Sequence, residues 1–292
     1  MRQVIKRVRD TPFVLSSCVL LLRGFRAIGV FTSRDVYIHV PFRGTFSVDC
    51  GQGRSFRMIS RGHKIENGLY WDGLRAHEPE SIRFWIDRAA TAGVVLDVGA
   101  NSGLFALAAA AVGAGEVHAF EPLPRVHAIL AGNVASNPQL PLQAWPVAVG
   151  AFDGVADLFD PGGEAPSSAS LSPKFAAEHF DAVPVEKVDV MSIDSFCAGR
   201  GIDRVDLIKI DVEGYEVNTL RGMQRIVAAS SPAILMEVLP GQEAELRETV
   251  ETLWPGKFAW SPVDEGDGEV SRNVTLVDRR AGSQRPVAGV LD

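Results

Sequence analysis

Four short stretches of the sequence gather residue types that can do chemistry at a ligand edge. The first is Asp97-Val98-Gly99-Ala100-Asn101-Ser102-Gly103. Gly99 and Gly103 permit a tight turn and close approach of the backbone to a ligand. Asn101 tolerates left-handed backbone better than most residues. Free N–H groups at the start of a following helix can bind a polar or anionic group. Asp97, ahead of the glycines, suits hydrogen bonds from a cationic amine or holds the loop; a phosphate-binding loop would not want a carboxylate there. The dinucleotide fingerprint G-x-G-x-x-G would need glycine at 101 and 104. The sequence has Asn101 and Leu104 there, so that fingerprint fails. The competing reading is a plain Gly-rich turn between strand and helix.

The second is Glu121, 24 positions after Asp97 (121 − 97) and followed by Pro122. An acid at about this distance binds ribose hydroxyls in nucleotide-type folds. Its two oxygens can accept both donors of a cis-diol. The competing reading is a solvated glutamate at a strand end. The third is Lys209-Ile210-Asp211-Val212-Glu213-Gly214-Tyr215-Glu216. Alternation along a strand puts Lys209 and Asp211 on one side, opposite Ile208 and Ile210. A lysine inside an apolar strand needs a partner or a path to water. Asp211 is the candidate general base or substrate-orienting group, with Lys209 and Glu213 beside it; Glu213 and Glu216 can position substrate or secure the loop. An ion-pair cluster that merely closes the strand would have the same composition. The fourth is Glu237, ending an apolar run. With Asp211 it could coordinate a hard cation such as Mg²⁺, although nothing in the spacing requires a metal and none is expected. His77 and Glu78, upstream, can fold back over the first motif.

Something must hold these residues on one edge. The pattern predicts strands at Val94–Val98, Val117–Phe120, Gln143–Val149, Val205–Ile210, Ala233–Val238 and Asn273–Val277. Helices are expected from Pro79 to about Ala92, and at Leu104–Val112, Pro124–Asn137, Glu216–Ala229 and Glu243–Leu253. Such alternation predicts an α/β fold with a mostly parallel sheet and helices on both faces. Ligands then bind outside the carboxyl ends of the strands, which is where all four stretches fall. Residues 150–190 break the rhythm and read as an insertion, a β-hairpin with a polar loop. Residues 27–75 read as a small β-rich region with turns at Asn67-Gly68 and Asp72-Gly73. The catalytic-type domain would then span 76–278, and residues 279–292 read as a frayed tail.

The chain has 292 residues, a net charge of −7 and 46% hydrophobic residues. That composition excludes fibrous and wholly disordered classes. An acidic chain lacks the footprint of a nucleic-acid binder, so a small-molecule or glycan partner is expected. Cys18, Cys50 and Cys197 have no metal-ligand or disulfide spacing and suit a reduced, cytoplasmic protein. Residues 1–26 form a basic and apolar helix candidate. Its apolar run, Pro12–Leu22, is too short to span a membrane. No A-x-A-like cleavage site follows it. Packing on the domain and contact with a membrane surface both fit.

The stretches LDVGANSG, AFEPLP, LIKIDVEGYEVNTLRGM and ILMEV together resemble the FkbM-type S-adenosylmethionine-dependent methyltransferases over about residues 70–240. KIDVEGYE is their most specific part. The resemblance implies a class I methyltransferase (Rossmann-like) fold, with a seven-stranded sheet whose last strand is antiparallel. It implies S-adenosyl-L-methionine contacts from Asp97, Gly99, Ala100, Asn101 and Gly103, from Glu121 at the ribose, and from Glu78, Pro122 and Ala148. It implies methylation of a hydroxyl on a sugar, polyketide or similar natural product. Substrate contacts would come from Glu216 and Glu237, beside a variable insertion. A non-catalytic module that keeps the cofactor fold is the alternative.

Overall fold

The computed structural model describes residues 18–22, 24–25, 28–29, 40–163, 166, 168–180, 184–266 and 273–280. The expected extended run at Val36–Val40 and the tail lie almost entirely outside them.

The site is carried by a seven-stranded sheet of β3 (Val94–Val98), β4 (Glu116–Phe120), β5 (Leu142–Trp145), β9 (Leu207–Ile210), β10 (Ala233–Glu237), β11 (Phe258–Pro262) and β12 (Asn273–Asp278). Its spatial order is β11-β12-β10-β9-β3-β4-β5. β12 runs antiparallel to both of its neighbours, and every other pairing in the sheet is parallel. This is the class I methyltransferase order, with the last strand antiparallel. The chain winds outward from β3 in one direction and, after the insertion, from β9 in the other. The crevice between β3 and β9 is therefore the switch point at which such sheets bind ligands.

Period-two alternation divides the sheet's side chains between two cores. Val95, Leu207 and Leu235 face a layer that holds Trp85, Phe105 and Leu107. Leu96, Ile208 and Ile234 face a layer that holds Phe196, Leu220, Val227 and Leu246. The first layer is built by α2 (Pro79–Ala89) and α3 (Leu104–Val112). α3 (LFALAAAAV) is apolar all round, which requires cover on every side. The ribbon of β1 (Gly44–Asp49) and β2 (Ser55–Ser60) supplies it with Val48, Phe56 and Met58. Asn133, on α4 (Pro124–Ala135), and Asn137, just after it, pin β2 by hydrogen bonds with the backbone of Ile59 and Arg57.

Several elements depart from the sequence reading. Asn67-Gly68 lies inside α1 (Lys64–Asp72), followed by a 3-10 turn at Gly73–Ala76. Asn67 is buried and accepts from the Phe42 N–H, and Trp71 donates to the Val40 carbonyl. Tertiary partners there override a turn-forming dipeptide, while Gly73, at φ 63°, ends the helix. The single strand expected over 143–149 is interrupted at Pro146, which lacks a ladder donor. Beyond it, β6 (Ala148–Val149) joins a separate three-stranded sheet with β7 (Gly154–Phe159) and β8 (Pro184–Met191). β7 and β8 form the expected antiparallel hairpin, which also carries the short helix α5 (Pro173–His179). α6 (Ile193–Arg200) and β11 were not apparent from the sequence.

The helix expected over 216–229 is two, α7 (Glu216–Arg221) and α8 (Gln224–Ser230). Asp194 accepts from the Arg225 and Ile226 N–H groups and caps α8. Gly222, in the break, passes so close to the insertion that a Cβ would lie 1.9 Å from the Gly150 carbonyl oxygen. α9 (Glu243–Leu253) completes the second layer. Among the described residues, no helix is long and apolar enough to cross a membrane.

Candidate functional site

A cavity of about 340 Å³ opens at the carboxyl ends of β3, β4, β9 and β10. Backbone bonds set its floor. Gly99 and Ala100 donate to the Phe120 carbonyl, Glu121 donates to Trp145 and Asp211 donates to Val98. Gly99, at φ 81°, lies so close to the loop after β9 that a Cβ would sit 1.7 Å from the Asp211 carbonyl oxygen. No other residue fits that crossing. Glu78, Asn101 and Glu213 also line the cavity, and each is a non-glycine residue held at positive φ, at 44°, 48° and 50°. Backbone strain of this kind gathers at functional sites.

Each acid has a distinct setting. Asp97 is 1% exposed; Oδ2 accepts from the Ala106 N–H on α3 at 2.9 Å, while Oδ1 is buried with no partner. Burial pushes its carboxyl up to about 6 against the pull of Lys209. Glu121 ties two loops together: Oε1 accepts from Leu123 at 2.9 Å and Oε2 from Asn101 at 3.1 Å. Burial raises it to about 7 despite those bonds. Lys209 is 3% exposed, lies 2.6 Å from Asp211 Oδ2 and sits 4.5 Å over the Phe105 ring. Burial pulls its ammonium down, but the charges of Asp211, Asp97 and Glu78 outweigh this and hold it above its ordinary value.

Burial also pushes Asp211 up. The Lys209 charge and the hydrogen bonds from Lys209 and Glu237 overcome that and keep Asp211 below the usual carboxylate range. Glu237 is driven to about 10 by burial and by the Asp211 and Glu213 charges. Near neutrality the centre therefore holds a lysine cation, an aspartate anion and a neutral glutamic acid, two carboxyls sharing one proton. Asp211, Glu213 and Glu237 bring one oxygen each within 4.8 Å of one another. Oxygens of this kind suit a hard cation, but Lys209 already supplies the counter-charge to Asp211 at 2.6 Å.

The structure brings Glu78, Asp97, Gly99, Ala100, Asn101, Glu121, Pro122, Ala148, Lys209, Asp211, Glu213 and Glu237 around one cavity. Two residues expected at the ligand stand behind its wall. Gly103 begins α3 at φ 93°, where a Cβ would lie 2.6 Å from Leu130 Cδ1; its glycine is required by packing. Glu216 is 1% exposed at the start of α7 and accepts from the Gly214 N–H at 3.0 Å, so it secures the turn and does not face a substrate. The sequence reading missed Phe105, the ring under Lys209, and Ser170, whose hydroxyl donates to the Glu213 carbonyl at 2.6 Å. It also gave no role to Tyr215, which lines the cavity. The demand of Lys209 for a partner was the available signal for Phe105; Ser170 lies 43 positions from Glu213 and left none.

Residues 97–254, more than half of the chain, match the model of the methyltransferase FkbM domain. The chain belongs to the FkbM methyltransferase family. Its cofactor is S-adenosylmethionine. No curated protein is similar to the chain in sequence. Among solved structures, the FkbM methyltransferase of Methylobacillus flagellatus KT is 16% identical with a TM-score of 0.47, the match covering 63% of this chain and 43% of that one. The chain thus spans less than half the length of that relative. A SAM-dependent methyltransferase from Agrobacterium tumefaciens is 14% identical with a TM-score of 0.45, covering 85% of this chain and 76% of that one. The family assignment rests on the matched domain and not on these distant likenesses.

The residues around the cavity fit that cofactor. Glu78 Oε2 and Asp97 Oδ1 are buried carboxyl oxygens without partners, both on the cavity wall. They suit a ligand that brings positive charge and hydrogen-bond donors.

Proposed function

We propose that this protein methylates a hydroxyl group on a small natural product or glycan. Asp97, Glu121, Asn101 and the Gly99 turn would hold the cofactor, with Glu78 and Pro122 on the wall and Ala148 beneath. The cofactor supplies a methyl group on a sulfonium that departs neutral, so no acid is needed at the leaving group. What remains for the protein is to align an oxygen and to take its proton.

Asp211 is the proton acceptor in this reading. A carboxylate held low is a weak base toward a free alcohol. The oxygen becomes far more acidic as its new bond to carbon forms, so a weak base in place suffices. Lys209 keeps Asp211 ionised and fixed, and the neutral Glu237 fixes its other side. Alignment can account for about 7–11 kcal/mol of the barrier, and a positioned base for about 10²–10⁴-fold in rate.

The observation that supports this reading best is the Lys209–Asp211–Glu237 cluster, on the wall of the same cavity as the Asp97 and Glu121 carboxyls. The test is incubation of the purified protein with methyl-labelled S-adenosylmethionine and an extract of small metabolites and glycans from its own host. Mass spectrometry should find label in a methyl ether of a hydroxylated compound. Label on nitrogen, or binding of S-adenosylhomocysteine without turnover on any pool, would reject it.

A further inference from the structure

Residues 18–22 are helical and lie on the domain by one side only. Val19 is buried against Trp71 of α1, with Leu22, Val40, Phe42 and Tyr70 packed around the pair. The other side is bare: Leu20 is 72% exposed, Leu21 61%, and nearby Phe25 46% and Ile28 73%. Among the described residues only seven large hydrophobic side chains are exposed, and these four fall within nine positions. Scattered apolar side chains need no explanation, but a cluster does.

Charge says what covers it. Residues 1–26 carry six basic side chains, Arg2, Lys6, Arg7, Arg9, Arg23 and Arg26, against the single acid Asp10. The remaining chain holds 23 basic against 35 acidic residues. A second copy would offer its own apolar patch, but pairing patch on patch would set two strongly basic segments, each with six basic side chains and one acid, against each other. A bilayer with anionic headgroups offers both at once, acyl chains for the apolar side chains and phosphates for the arginines. From these observations we infer that the N-terminal segment docks this protein on an anionic membrane surface, lying in the interface without crossing it. Its anchor on the domain is α1, which also carries Lys64 and Ile65 of the cavity rim. Six residues of helix separate Ile65 from Trp71, about 9 Å. The inference does not depend on the methyl-transfer reading.

Flotation of the full chain with vesicles tests it. Wild type should float with vesicles of phosphatidylcholine and phosphatidylglycerol, and stay down with phosphatidylcholine alone. Each basic side chain near the surface is worth roughly fivefold in affinity, so raised salt should release it. The L20D/L21D variant should lose at least about tenfold in bound fraction. Both leucines are exposed, and unchanged S-adenosylhomocysteine binding will show that the variant is folded. Wild type that stays soluble with both vesicle types would overturn the inference. So would a variant that floats like wild type, or a wild-type dimer that the two substitutions dissolve into monomers.

Discussion

Asp97 and Asp211 sit at the ends of neighbouring strands, yet their carboxyls have opposite fates because Lys209 bonds only one of them. Asp97 keeps an unpartnered oxygen at the cofactor edge, and a hydrogen bond to a charged group is worth about 1.5–3 kcal/mol. Asp97→Ala should therefore weaken S-adenosylhomocysteine binding about tenfold or more by titration calorimetry. Asp211→Ala should leave that affinity nearly intact while turnover falls about 10²–10⁴-fold; wild-type turnover would end its assignment as base. Glu121 adds a pH signature. Its carboxyl titrates at about 7 because burial disfavours the charge, while ribose hydroxyls are better bound by the ionised form. Affinity for S-adenosylhomocysteine should rise between pH 6 and pH 8, and Glu121→Gln should flatten that rise. These acids were legible in the sequence because each ends a short apolar strand, where the fold places its ligands. Ser170 and Phe105 were not, because their roles exist only through partners far along the chain.

At the scale of elements, β3, α3 and α9 matched the sequence reading to the residue, since apolar period and glycine boundaries specify them locally. The misread elements owe their limits to distant contacts. α8 begins where Asp194 caps it, and α1 continues through Asn67-Gly68 because Asn67 bonds Phe42. The same logic explains how Glu78 is held at its left-handed φ. The Glu265 carboxylate, from the connection after β11, accepts from the Glu80 and Ser81 N–H groups and from the Ser81 hydroxyl, capping α2 just past Glu78. Loss of a cap costs about 0.5–2 kcal/mol. Glu265→Ala should lower the melting temperature by a few degrees and also weaken S-adenosylhomocysteine binding, because the turn that aims Glu78 loosens. A stability loss with unchanged affinity would make Glu265 a cap and nothing more. The turn after β9 is closed by Glu216 from beneath. Burial raises that carboxyl to about 7 from an unfolded value near 4.5. The folded state thus holds the proton more tightly, and its contribution, full at low pH, is lost as pH rises through about 7. Glu216→Gln keeps the acceptor without the charge, so it should raise the melting temperature at pH 8 and change it little at pH 5.

For the whole molecule these buried acids pull the same way. Asp97, Glu121 and Glu237 are also raised, so the ligand-free protein keeps at one sheet edge several carboxyls that would rather be neutral. Asp211, held low by Lys209, is the counterweight. The sheet concentrates this cost because the chain reverses its winding between β3 and β9, bringing both acid-tipped strands and the loops after them to a single crevice. A ligand that binds only the folded state at 100 times its Kd adds about 2.7 kcal/mol. For a chain of this length each kcal/mol moves the melting temperature by about 2–4 °C. S-adenosylhomocysteine at that excess should therefore raise the melting point by several degrees. The gain should be larger at pH 8 than at pH 6, because the ionised acids that destabilise the empty protein are those that receive the ammonium and hydroxyl groups of the ligand. Thermal denaturation at the two pH values, with and without ligand, measures it directly. A shift equal at both would mean that the acids at the strand ends serve packing and not the cofactor.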